Sequence, residues 1–97
     1  MSAPYYTGDG VPLKFIVSDA DGDVSPTACE VTILGPGNTI SEGTATIDDN
    51  EVSCNVPGSV TCAEGLYKVY FVLTLPSELE RTHKIEFNVI INPEVNK

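Results

Sequence analysis

Asp19, Asp21 and Asp23 stand at alternate positions, and Glu30 falls twelfth from the first of them. Carboxylates spaced in this way are what a calcium loop uses, because Ca²⁺ takes six to eight hard oxygen ligands. An EF-hand loop needs Gly at its sixth position, and that position is Val24 here. Flanking helical patterns are missing as well. Asp is also a common turn residue, since its side chain accepts bonds from nearby backbone N–H groups. The expected role of Asp19-Ala20-Asp21-Gly22-Asp23 is therefore a turn, with a loose surface calcium site as the sharper alternative. Asp48, Asp49 and Glu51 form a second acidic cluster that reads the same way.

Other chemistry finds less support. His83 is the sole histidine, and no Ser or Cys near it in sequence forms a recognisable catalytic pattern. The 14 acidic residues always offer carboxylate pairs, so pairing alone does not mark a glycosidase. Gly35-Pro36-Gly37-Asn38 lacks the Lys and the following helix of a phosphate loop. Cys29, Cys54 and Cys62 are an odd set, with spacings that match no zinc knuckle. Cys29 and Cys54 are expected to be small buried hydrophobes on strands. A Cys54–Cys62 bridge is the alternative, and it would need an oxidising compartment. The expectation is a non-enzyme with no cofactor.

The elements that must position these residues are short and follow period two. Val11, Leu13, Phe15 and Val17 alternate with Pro12, Lys14 and Ile16 as a first strand. Cys29, Val31 and Ile33 form a second, which ends at Gly35-Pro36-Gly37-Asn38. A weak strand runs from Thr44 to Ile47, and Val52, Cys54 and Val56 follow after an Asp-Asp-Asn turn. Gly65 to Leu75 is the strongest strand, with Tyr67, Val69, Phe71, Leu73 and Leu75 on one face. Arg81 to about Ile91 is the last, joined to it by Pro76–Glu80 as an antiparallel hairpin. No segment carries a helical stripe. The pattern predicts one domain spanning residues 1–97, with its ordered core over about 8–91. Its expected fold is an all-β, immunoglobulin-like sandwich of about seven antiparallel strands. The predicted core is Leu13, Phe15, Val17, Val31, Ile33, Ile47, Val52, Cys54, Val69, Phe71, Leu73, Ile85, Phe87 and Val89.

Charge narrows the partners. The 97 residues carry 14 Asp and Glu against 5 Lys and Arg, a formal net charge of −9. Such a chain repels phosphate and anionic lipid, which argues against nucleic acid and membrane surfaces. No apolar run approaches the ~20 residues of a membrane-spanning helix. The opening Met-Ser-Ala-Pro-Tyr-Tyr has no basic region followed by an apolar stretch, so no secretory signal is expected there.

Two resemblances add to this reading. Glu64-Gly65-Leu66-Tyr67-Lys68-Val69 resembles the immunoglobulin-like pattern in which a Gly and a Tyr open the penultimate strand. That resemblance implies a tyrosine corner, its hydroxyl bonded back to nearby backbone. The second covers nearly the whole chain. It runs through Gly8-Asp9-Gly10-Val11-Pro12-Leu13-Lys14-Phe15-Ile16-Val17, Asp19-Ala20-Asp21-Gly22 and the Ala28–Leu34 strand leading to Gly35-Pro36-Gly37-Asn38. It continues through Gly43-Thr44-Ala45-Thr46-Ile47, Val52-Ser53-Cys54, Gly65-Leu66-Tyr67-Lys68-Val69-Tyr70-Phe71 and the Arg81–Ile91 strand. In this order the chain resembles short phage and prophage proteins with an immunoglobulin-like sandwich, similar to the N-terminal domain of phage baseplate upper proteins. The resemblance implies a virion structural or adaptor module of tail or baseplate type, assembled in the bacterial host cytoplasm. Its partners would be other virion or host proteins, with homo-oligomers as a further expectation. The expected contact surface is an apolar or aromatic patch including Tyr5, Tyr6 or Tyr70. The competing reading is a carbohydrate- or calcium-binding sandwich module of a bacterial surface protein, which would use exposed aromatics or the Asp19, Asp21 and Asp23 carboxylates.

Overall fold

In the computed structural model, residues 5–19 and 22–91 are described. They form ten strands: β1 (Tyr5–Tyr6), β2 (Val11–Ile16), β3 (Ser18–Asp19), β4 (Gly22–Asp23), β5 (Ala28–Leu34), β6 (Ile40–Gly43), β7 (Ala45–Asp48), β8 (Glu51–Val56), β9 (Gly65–Thr74) and β10 (Glu80–Ile90). Among the described residues the sole helical element is a single 3₁₀ turn, Pro36–Asn38. Among the described residues no helix is long and apolar enough to cross a membrane.

Eight of the strands make two sheets. One has the order β1-β10-β9-β5-β6, the other β2-β8-β7. β3 and β4 pair as a small separate ribbon, with Asp19 opposite Gly22. The alternation in sequence explains which side each strand buries. Tyr67, Val69, Phe71 and Leu73 of β9 are buried, while Lys68, Tyr70, Val72 and Thr74 between them face out and are half-exposed. On β2, Val11 and Leu13 are buried and Pro12, Lys14 and Ile16 are exposed. The two sheets close face to face on these inward side chains, so the chain is an all-β sandwich. Phe15 of β2 meets Phe71 of β9 edge-on across the interior, with ring centroids 4.9 Å apart.

The core agrees with the residues predicted from alternation, with Phe15, Ile47 and Ile85 only half-buried at its margin. Val11, Val56, Tyr67 and Leu75 extend it. The strand inventory differs from the expectation in three respects. The count is ten rather than about seven. β6 has no counterpart in the expected strands: its single large apolar residue, Ile40, points to solvent and gives no alternating signal. β1 precedes the expected start of the ordered core near Gly8, and it pairs parallel to β10, so the sandwich is not wholly antiparallel. The pairing arises because Tyr5 turns its ring onto Phe87, edge-on at 5.6 Å, while Thr7 N–H donates to Ile90 O at 2.9 Å. The expectation for the segment 92–97 lies outside the described residues.

The turns are where their residues require them. Asp49 takes φ 56° between β7 and β8, a left-handed conformation that Asp tolerates better than most. Gly65 opens β9 at φ 139°, and a Cβ there would come 2.6 Å from Pro36 Cγ, so both backbone and space demand glycine. Two residues later Tyr67 is 2% exposed, and its hydroxyl donates to Ala63 O at 2.7 Å and lies 3.2 Å from Val60 O. This is the corner geometry expected from the sequence. The Tyr67 ring stacks on Phe87 with centroids 5.3 Å apart and planes 1° from parallel. Burial pushes its phenol pKa up, partly offset by the bond to Ala63.

Two expected outcomes follow from this core. Phe71→Ala empties a fully buried site, and urea melts should show a loss of about 3–5 kcal/mol. Tyr67→Phe keeps the ring and strips the hydroxyl, leaving two loop carbonyls short of a donor. It should cost about 1–2 kcal/mol. Melts indistinguishable from the parent would refute either assignment.

Candidate functional site

The expected contact residues occupy three different environments. Tyr5 is half-buried and spends its ring on Phe87. Tyr6 is 42% exposed, its backbone N–H donating to the Asp9 carboxylate at 2.9 Å. Tyr70 lies on the outward face of β9, opposite Lys84 on β10 and Thr32 on β5. Tyr6 pairs with Ile90, six residues along β10 from Lys84, so Tyr6 and Tyr70 share a sheet face but stand about 20 Å apart along the strands. The structure thus splits the three: one packed against the core, one at a corner, one near the middle of a face.

Around Tyr70 that face mixes apolar and charged side chains. Val72 follows it on β9, Leu66 precedes it, and Leu34 lies in the next row on β5 with Ile40 beside it on β6. Ile40 is 71% exposed and Leu66 46%. Lys68 and Lys84 stand among these residues, and Lys84 Nζ lies 4.0 Å from Glu86 Oε2. Exposed pairs of this kind contribute little to folding. Leu34, Leu66 and Ile40 are not among the expected contact residues. The signal available in sequence is β9 itself, whose outward parity carries Leu66, Tyr70 and Val72 around Lys68, more apolar content than a strand needs when one side faces water.

The opposite outer face, on the three-stranded sheet, differs in chemistry. A groove of about 630 Å³ runs over it, lined among others by Lys14, Thr46, Ser53, Asn55 and the two prolines Pro12 and Pro57. No aromatic ring lines it, so it offers no stacking platform for a sugar ring. Lys14 Nζ and Glu51 Oε1 are 3.7 Å apart beside it.

The candidate metal ligands are distributed as follows. Asp23 is exposed on β4, and Asp19 lies in β3. Asp21 and the side chain of Asp19 are outside the described residues. Among the described residues no group of three or more His, Cys, Asp or Glu side chains gathers for a metal ion.

His83 stacks on Phe15 at 4.1 Å and 21°, so its ring serves as part of the packed margin. Among the described residues no hydrogen bond joins it to a hydroxyl, thiol or carboxylate. All three cysteines are free: Cys54 buried on β8, Cys29 half-buried on β5, and Cys62 exposed in the loop before β9. The alternative bridge between Cys54 and Cys62 is therefore not formed. Burial raises the thiol pKa of Cys54, and raises that of Cys29 with help from Cys54 and Glu30. Both are protonated at neutral pH and poor nucleophiles, since the thiolate is the reactive form.

No family model matches the chain, and no curated protein matches it.

Thiol access gives a direct check on this arrangement. Iodoacetamide should alkylate Cys62 readily in native buffer, Cys29 more slowly, and Cys54 only after denaturant is added. Native labelling of Cys54 at the rate of Cys62, read by peptide mass spectrometry, would contradict the sandwich interior described here.

Proposed function

We propose that this chain is a non-enzymatic phage or prophage virion module, of tail or baseplate type, that works by protein–protein contact. One observation carries the contact reading. The five-stranded sheet already buries its inner face in the core, yet its outer face also presents apolar side chains, with Tyr70 among Leu34, Ile40, Leu66 and Val72. Exposed apolar side chains interspersed with charge on one face are the kind of surface that docks on other proteins. The resemblance to the baseplate upper protein domain supplies the virion setting.

The strand order supports an immunoglobulin-like arrangement. β2, β8 and β7 face β10, β9 and β5, as the B-E-D and C-F-G strands face each other in such sandwiches. β6 extends the second set and β1 closes its far edge. The partners on this reading are other virion or host proteins, met during assembly in the bacterial cytoplasm. The net charge of −9 keeps nucleic acid and anionic lipid unfavourable as partners.

The test is direct. In purified virions from a lysogen that encodes this chain, quantitative mass spectrometry should find it in fixed ratio to tail proteins. A chain abundant in the lysate but absent from the particles would overturn the proposal.

A further inference from the structure

We propose that the outer face of the five-stranded sheet binds a second copy of this chain, about a two-fold axis that runs across the strands. The inference rests on reading this face as the contact surface, and it goes further by naming the occupant. The strand register supplies the argument. One row across the face reads Glu86, Lys68, Leu34, Ile40, on β10, β9, β5 and β6 in turn. The next row reads Lys84, Tyr70, Thr32, Glu42 on the same four strands. Leu66 lies one row before this pair on β9, and Val72 one row after it.

A two-fold axis midway between the two rows lays each row of one copy over the other row of its mate. Lys84 then faces Glu86, and Glu86 faces Lys84. Lys68 faces the ring of Tyr70, a favourable cation–π placement. Leu66 faces Val72. On β9 and β10 each apolar group thus meets an apolar group or a cation suited to it and each charge its opposite, while on β5 and β6 Leu34 lies over Thr32 and Ile40 over Glu42. The arrangement is isologous, as a two-fold dimer requires.

Charge also selects a copy of this chain over other occupants. Two chains of net charge −9 repel one another over most of their surface. This face holds Lys68 and Lys84, two of the five basic residues in the sequence. A uniformly basic partner would meet those lysines, and a uniformly acidic one would meet Glu30, Glu42 and Glu86. The same alternating pattern, turned over, sets the β10 charges against their opposites and leaves Glu42 at the β6 rim, where water reaches it. β10 and β9 carry four rows of this face but β6 only two, so at standard sheet spacings the overlaid area is roughly 400 Å² per copy. The total of roughly 800 Å² falls short of the roughly 1,000 Å² at which stable specific interfaces begin, so the dimer should be weak and reversible.

Sedimentation equilibrium from micromolar to millimolar protein, at 0.15 M salt, tests the proposal on the parent, on Lys84→Glu, on Glu86→Lys and on an equimolar mixture of the two variants. The two residues are well exposed, with side chains 47% and 41% accessible, and a melting scan should show both variants as stable as the parent. The parent should dimerise. Each variant alone places like charges in contact and should dimerise at least ~10-fold more weakly. The mixture should recover a mixed dimer, because the glutamate introduced in one variant then faces the lysine introduced in the other. Recovery on mixing is an outcome that loss of folding cannot produce. A parent that stays monomeric at millimolar concentration overturns the proposal and leaves docking on a different virion protein to the particle measurement above. A parent dimer unaffected by either variant also overturns it, since association would then use another surface such as a strand edge.

Discussion

The hydroxyl of Tyr67 fixes the geometry on which the rest of the molecule depends. It reaches back to the carbonyls of Ala63 and Val60, and so pins the loop between β8 and β9 against the start of β9. That loop in turn holds the N-terminal segment. Thr61, fully buried, donates its hydroxyl to Asp9 O at 2.6 Å, and Gly8 N–H donates to Thr61 O at 3.1 Å. Gly58 lies so close to the Gly8 carbonyl that a side chain there would collide with it. The N-terminal segment is thereby delivered to the edge of β10, where β1 pairs and Tyr5 covers Phe87. Phe87 is also the ring on which Tyr67 stacks, so the chain of contacts closes on itself. One hydroxyl, its two acceptors and one buried threonine thus join three segments that are far apart in sequence.

Much of this is legible in the residues, and the reasons differ by element. β2, β5, β8, β9 and β10 each bury every second residue, and that alternation is a property of the strand alone. The corner at Tyr67 is legible because glycine is required at φ 139° and its position relative to the tyrosine is local. β6 is not, because an edge strand with one outward Ile and no inward large apolar residue leaves no pattern to read. β1 is not, because a two-residue strand paired with β10, more than eighty positions away, has no local signature. Pro12 is tolerated inside β2 because that strand lies at the edge of its sheet, where a missing N–H need not break a ladder.

The outer face of the five-stranded sheet is only partly legible, for a related reason. Tyr70 stands out as an aromatic at the wrong parity of an apolar strand. Leu34 and Ile40 cannot be joined to it from spacing, because their neighbourhood depends on registers set across β9, β5 and β6 together. A sheet face assembles residues from different strands, and sequence spacing carries no record of which rows align. The same holds for the split among the tyrosines. Tyr5 and Tyr6 are adjacent in sequence, but a strand sends neighbours to opposite sides, so one packs against the core and the other meets solvent.

Acidity and rigidity together constrain how such a face can be used. Most of the surplus carboxylates stand on turns and edges, among them Asp23, Asp48, Asp49, Glu64 and Glu78. There they keep wrong surfaces apart, since like charges brought into contact are unfavourable, and the repulsion weakens beyond about 8 Å at physiological salt. The face around Tyr70 is the exception: Lys68 and Lys84 partly offset Glu30, Glu42 and Glu86, and its mixed rows are held by strands ten and eleven residues long. Because β9 packs its other side into the core, the outward side chains sit on a backbone already ordered by folding. Association there need not order a loop, so a modest apolar area can yield specific contact.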